Sequence, residues 1–258
     1  MRYLFLLIVV LAWSINAQAA IKTEVIEYKH GDTVLEGYLA YDDAVKGKRP
    51  GVLVVHEWYG LNDYAKKRTE QLAGLGYVAF AVDMYGKGVR AKNAEEAGKL
   101  AGIYRSDRKL MRARANAGLE ALRQQKLVDT RRIAAIGYCF GGGTVLELAR
   151  SGADVSGAAS FHGNLDTPNP EDAKNIKGKV LVLHGGDDPR VKTEQVLAFQ
   201  DEMRKANVDW QMDIYGGAVH SFTNPDAGND PSRGLAYNEK ADRRSWEAMK
   251  LFFAEIFR

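Results

Sequence analysis

Three short segments of this sequence place reactive side chains directly after apolar runs. The first is Gly137-Tyr138-Cys139-Phe140-Gly141-Gly142, which follows Ile133-Ala134-Ala135-Ile136 and leads into an amphipathic stretch, Gly142–Arg150. Glycines two positions before and two after the cysteine match the G-x-S-x-G strand-to-helix turn, with cysteine in the place of serine. Such a turn presents its central residue on a strained backbone, and the flanking glycines admit the close approach of neighbouring chain that the bend forces. It also sets the sulfur at the positive end of a helix, which favours thiolate over thiol. The second segment, His184-Gly185-Gly186-Asp187-Asp188-Pro189-Arg190-Val191, follows Val180–Leu183 and offers an acid. The third, Gly216-Gly217-Ala218-Val219-His220-Ser221-Phe222, follows Trp210–Tyr215 and offers an imidazole. Nucleophile, acid and histidine in this chain order are what a Cys-His-Asp hydrolytic triad requires, with His220 taking the thiol proton and a carboxylate fixing its tautomer. Both Asp187 and Asp188 stand in the acid loop, and spacing from Gly185 and Val191 favours Asp188.

The elements that must position these residues follow from the apolar periodicity. Lys22–His30 and Val34–Tyr41 alternate around Gly31-Asp32, the pattern of an antiparallel hairpin. Beyond it, continuous runs such as Gly51–Val55, Tyr77–Val82, Ile133–Ile136, Val155–Phe161 and Val180–Leu183 read as strands buried on both faces. Amphipathic segments Tyr64–Gly74, Ala94–Tyr104, Asp107–Gln125, Thr193–Ala206 and Tyr237–Phe257 separate or follow them and read as helices. The expectation is an α/β protein with a mostly parallel doubly wound sheet and an N-terminal antiparallel hairpin, binding its ligand beyond the carboxyl ends of the strands.

With these residues in view, the sequence resembles the dienelactone hydrolase family. The resemblance rests on Gly137–Gly142, on His56-Glu57-Trp58-Tyr59-Gly60-Leu61-Asn62, on Asp83-Met84-Tyr85-Gly86, and on the acid and histidine loops, and it spans residues 20–258. It implies the α/β-hydrolase fold and a cofactor-free enzyme in which cysteine attacks a small ester or lactone and a thioester is then hydrolysed. It further implies that Glu57 pairs with the resting thiol and helps ionise it, and that the backbone N–H groups of Trp58 and Phe140 form the oxyanion hole. Tyr85, Lys87 and Asn224 fall at substrate-binding positions. Relatives acting on dienelactone carry an arginine where Asn224 stands, so an anionic lactone loses a bidentate partner there. A broader ester specificity is expected, with Trp58, Tyr59, Tyr85 and Phe222 lining an apolar acyl pocket.

Residues 1–19 begin with Arg2, continue through apolar Tyr3–Trp13 and end in Ala17-Gln18-Ala19, the layout of a secretory signal peptide. The apolar run is shorter than a spanning helix needs. Export to the periplasm or beyond is expected, leaving residues 20–258 as one soluble domain without stable membrane insertion. An exported chain with a single cysteine cannot close an internal disulfide. Its net charge of +3 is too small and too evenly spread for nucleic-acid binding. Five histidines are present, yet none of the short spacings of a zinc site occurs, and neither metal nor cofactor is expected. A monomer is expected. The competing readings are a non-catalytic binding protein that has kept the fold, and a peptidase or acyltransferase on the same fold. Gly86–Arg114, rich in Lys, Arg, Glu and Ala, reads as a solvated helical cap near the site.

Overall fold

A computed structural model describes residues 20–258; the expected signal peptide, residues 1–19, lies outside the described residues. Strands β1 (Ile21–His30) and β2 (Thr33–Asp42) form the hairpin, turning at Gly31-Asp32 with Gly31 at a φ of 56° that glycine adopts without cost. The chain then runs β3 (Arg49–Val55), α1 (Asp63–Gly74), β4 (Val78–Val82), α2 (Ala94–Ser106), α3 (Arg108–Arg123), β5 (Val128–Tyr138) and α4 (Phe140–Arg150). It ends with β6 (Gly157–Phe161), β7 (Lys179–Gly185), α5 (Thr193–Lys205), β8 (Trp210–Tyr215) and α6 (Glu239–Ile256). All eight strands share one sheet in the order β1-β2-β4-β3-β5-β6-β7-β8. Pairings from β4 through β8 are parallel, while β1–β2 and β2–β4 are antiparallel.

The uninterrupted apolar strands are buried on both faces for a visible reason. Leu53, Val55, Phe80, Ile133 and Ala135 pack on the side covered by α3 and α4, through Met111, Leu119, Val145 and Leu148. Their neighbours Val52, Val54, Ala134 and Ile136 pack on the other side, against Tyr64 and Leu72 of α1 and Met249 and Phe253 of α6. Each fully buried aliphatic or aromatic side chain contributes about 1.5–3 kcal/mol. Asparagine or aspartate caps four helices: Asn62, Asn93, Asp107 and Asn238 each accept a backbone N–H of the first turn.

Under α4 lies a buried ionic cluster. Arg150, fully buried, donates to both Glu202 oxygens at 2.7 and 2.8 Å, to Glu147 Oε1 at 3.0 Å and to the Leu165 carbonyl at 3.1 Å. Arg112 then bridges Glu147 and Asp172 at 2.7 and 2.6 Å.

Topology fixes where the site forms. From β3 the chain passes to β4 on one side and later returns to β5 on the other, so a crevice opens beyond the ends of β3 and β5. Glu57 follows β3, and Cys139 follows β5.

Candidate active site

Strand β5 runs straight into α4, and Cys139 is the one residue between them. It adopts φ 53°, ψ −113°, a conformation held by its surroundings. A Cβ on Gly137 would sit 2.0 Å from the Gly141 carbonyl oxygen, and one on Gly141 would sit 2.2 Å from that of Val55, so neither site accepts a side chain. The helix begins at Phe140 and not at Gly142, which places the sulfur at the helix N-cap and leaves the Phe140 N–H among those with no intrahelical partner. Cys139 N–H donates to Phe161 O at 3.0 Å and to His162 Nδ1 at 3.1 Å.

Strand ends β7 and β8 supply the remaining pair. His220 Nε2 lies 3.0 Å from Cys139 Sγ, and its Nδ1 lies 2.8 Å from Asp188 Oδ2. The second Asp188 oxygen accepts the Arg190 N–H at 2.8 Å. Asp188 is buried, whereas Asp187 is exposed, so the geometry brings the first and not the second to the imidazole. Burial by itself opposes charge on the His220 ring, but the Cys139 sulfur and the Asp188 carboxylate more than offset it, and the imidazole is pushed up to about 10.

Glu57 is 5% exposed and does not pair with the sulfur. Its Oε2 accepts from Asn224 Nδ2 at 2.6 Å and its Oε1 from Ser221 Oγ at 3.2 Å. Burial raises its carboxyl above the usual range, against the lowering effects of Asn224, the His220 charge and Ser221.

Three expected substrate contacts are revised by this arrangement. Lys87 does not reach the cavity: its Nζ pairs with Glu27 Oε2 at 2.5 Å and Glu36 Oε2 at 3.9 Å, because the β1–β2 hairpin places both carboxylates beside it. Tyr85 is buried beside the cavity and not on its wall, its hydroxyl donating to Trp58 O at 2.9 Å and its ring packed against His56, Tyr104 and Phe140. Asn224 lines the cavity, but its amide is already engaged, donating to Glu57 and accepting the Asp226 N–H at 3.0 Å. Phe222 is likewise fully buried and packs edge-on against His162.

The cavity holds about 640 Å³, ample for a small ligand. Trp58, Tyr59, Cys139 and His220 line it as expected, and the α2 residues Ala94 and Arg105 bring one edge of the helical cap to its mouth.

Two residues near the nucleophile carried no signal in the sequence. His162, fully buried at φ 40°, accepts the Cys139 N–H on Nδ1, so Nε2 carries the proton and donates to Thr223 Oγ1 at 2.7 Å. Burial, then the charges of His220 and Arg68, holds this ring well below the ordinary histidine value. Thr223 in turn bonds Tyr64 at 2.6 Å, and Arg68 donates to the Thr223 carbonyl at 2.7 Å and to Asp242 at 2.5 Å. The nucleophile turn is thereby tied to the histidine loop, to α1 and to α6. His56 is engaged in the fold, donating from Nδ1 to Glu57 O at 2.5 Å and accepting the Met84 N–H on Nε2 at 3.2 Å. Among the described residues, no group of three or more His, Cys, Asp or Glu side chains is arranged to hold a metal ion.

Comparison with known proteins identifies the family. The family model of the dienelactone hydrolase family matches residues 35–257. A Synechocystis protein named "Putative carboxymethylenebutenolidase" is 30% identical over 252 residues, covering 90% of this chain and 96% of its own length. The solved structure named m3DLH is 46% identical with a TM-score of 0.89, covering 93% of this chain and 100% of its own. A dienelactone hydrolase-like promiscuous phosphotriesterase from metagenomic libraries is 45% identical with the same TM-score of 0.89, again over 93% and 100%. The eight-stranded α/β frame, its sulfur-bearing turn and a match over nearly all of the described chain lead to one conclusion: this chain belongs to the dienelactone hydrolase family, and with it to the hydrolases of carboxylic esters and lactones.

Proposed function

We propose that the chain cleaves small esters or lactones through Cys139, His220 and Asp188 and a thioester acyl-enzyme. The observation that carries this reading is the unbroken line Cys139 Sγ, His220 Nε2, His220 Nδ1, Asp188 Oδ2, with separations of 3.0 and 2.8 Å at its two contacts. His220 takes the thiol proton, and the sulfur anion attacks the carbonyl carbon as the carbonyl π pair moves onto oxygen. The N–H groups of Trp58 and Phe140 receive that oxyanion. When the tetrahedral adduct collapses, the carbon–oxygen bond to the leaving group breaks and the imidazolium Nε2–H protonates the departing oxygen. Water then attacks the thioester while giving its proton to Nε2, and the second adduct expels the sulfur and releases the carboxylic acid. Glu57 lies beside this pair as a buried acid anchored by Asn224 and Ser221, positioned to hold the histidine loop against β3.

Purified residues 20–258 should therefore turn over p-nitrophenyl acetate and a simple five-membered lactone with no added metal or cofactor, and the Cys139→Ala variant should do neither. Full activity in that variant would reject the reading. The similarity to a phosphotriesterase favours one second reading, in which the same sulfur attacks a neutral phosphotriester. Release of p-nitrophenol from paraoxon, lost in Cys139→Ala, is its test. Export rests on residues 1–19 alone, and a mature N-terminus at Ala20 in a periplasmic or culture fraction would support it.

A further inference from the structure

We propose that His56 is a positioning residue of the reaction: by holding the Glu57 carbonyl it turns the Glu57–Trp58 peptide so that the Trp58 N–H faces the carbonyl oxygen of a bound ester. The inference rests on the hydrolase reading above and deepens it, since it assigns what builds the oxyanion site.

The His56 ring is fully buried and lies outside the triad. Its tautomer is fixed by a group that can only donate. The Met84 N–H meets Nε2 at 3.2 Å, so Nε2 is the acceptor and the proton sits on Nδ1, 2.5 Å from the Glu57 carbonyl oxygen. Met84 is itself set by the turn after β4, where Asp83 Oδ1 accepts the Tyr85 and Gly86 N–H groups at 3.0 and 3.1 Å. Burial, first of all, pushes the ring down to about 4, against the Glu57 carbonyl and the Asp83 charge, so it is uncharged at neutral pH.

In a planar trans peptide the C=O and the N–H point in opposite directions, and the Glu57–Trp58 bond is trans. The Glu57 carbonyl is drawn toward the His56 ring and also accepts the Gly60 N–H at 3.3 Å, which directs the Trp58 N–H away from that ring. Glu57, Trp58 and Cys139 line the cavity and His56 does not, so this N–H is turned to the side of the sulfur. The same geometry orients the second donor. The Cys139 carbonyl accepts the Gly142 and Gly143 N–H groups at 3.0 and 3.3 Å, which turns the Phe140 N–H out of the helix. Among the described residues neither the Trp58 nor the Phe140 N–H donates to a protein acceptor. Two such donors beside a nucleophilic sulfur are what a developing oxyanion needs. The His56 ring also stacks on the Phe140 ring at 6.0 Å and meets Tyr85 edge-on at 4.9 Å, and the Tyr85 hydroxyl holds the Trp58 carbonyl at 2.9 Å. One buried ring therefore touches both halves of the oxyanion site.

The test separates acyl transfer from the reactivity of the sulfur. Iodoacetamide alkylates a thiolate by direct displacement of iodide, which creates no oxyanion, and Cys139 is the only cysteine in the chain. Hydrolysis of p-nitrophenyl acetate does create one. In His56→Leu, kcat/KM on the ester should fall about 10²-fold, the size expected for loss of one oxyanion donor, while the alkylation rate stays within about twofold. His56→Asn has the same branched shape and an amide able to donate to the Glu57 carbonyl, and it should recover about tenfold of the loss. His56→Phe keeps the ring's packing but donates nothing; it should match His56→Leu, and it decides the question if the leucine variant does not fold. The inference is overturned by a fall of less than about threefold, by alkylation that falls in step with ester turnover, or by an asparagine variant no better than the leucine one. If the unsubstituted protein is alkylated but turns over no ester, the hydrolase reading fails and the inference falls with it. Ester turnover that survives His56→Leu overturns the inference alone.

Discussion

Two buried polar regions sit at opposite ends of helix α4, and they are built on opposite terms. At its C-terminal end, each of Arg150, Arg112, Glu147, Glu202 and Asp172 has an ion-pair partner, with Arg150 gripping Glu202 by two hydrogen bonds. At its N-terminus, Glu57 is buried on two neutral hydrogen-bond donors and forms no direct ion pair, and a sulfur and an imidazole face each other across 3.0 Å. Backbone strain is divided the same way. Of the four non-glycine residues with positive φ among the described residues, Cys139, His162 and Ser221 lie at the site, and only Asn207 lies elsewhere. Such conformations cost about 1–3 kcal/mol each, so the site holds strain that the rest of the fold must offset. The matched cluster keeps the helix in place, and the unmatched one keeps reactive groups in unfavourable but useful states.

The comparison can be broken from either side. The largest effect is expected at the site itself: Cys139→Ala should lower kcat/KM by on the order of 10⁴-fold or more while the melting temperature moves little, and Asp188→Asn should cost about 10³–10⁴-fold. A Cys139→Ala protein that unfolds instead would make the thiol a packing element.

Arg150→Met should do the reverse. It strands Glu202 in the interior, leaves Glu147 to Arg112 alone, and should destabilise the fold by about 3–5 kcal/mol in urea unfolding, with activity per folded molecule largely kept. Equal loss of activity and stability would erase the distinction between the two regions.

A third effect concerns protons. The His220 ring should stay charged up to about 10 by nuclear magnetic resonance, and in Cys139→Ala its midpoint should fall because the sulfur no longer supports the charge. Because the folded value is raised, the stability this gives is fully present below the ordinary value of 6.5 and is lost as pH rises through about 10. An unmoved midpoint would separate the ring from the sulfur. The smallest effect is expected at Asp187, exposed beside the acid, where Asn should change kcat/KM less than about twofold.

Local patterns in the sequence reach the frame and the three reactive residues for a physical reason. Apolar runs buried on both faces can only be central strands, and the turn around Cys139 needs glycine where a Cβ would strike backbone at 2.0 and 2.2 Å. Chain order then places Asp188 and His220 at later strand ends. What escapes such reading is proximity between segments that share no local pattern. Lys87 turns to Glu27 and Glu36 because the hairpin lies across β4, a contact spanning up to 60 residues of sequence. His162 and Thr223, 61 residues apart, meet only through the sheet order.

The central claim is that the sulfur of Cys139 becomes acylated during turnover. Rapid quenching of the enzyme with p-nitrophenyl acetate, followed by peptide mass spectrometry, should find one acetyl group on the peptide containing Cys139, absent when His220 is replaced by Ala. An adduct on another side chain, or rapid hydrolysis with no adduct on that peptide, would contradict the account.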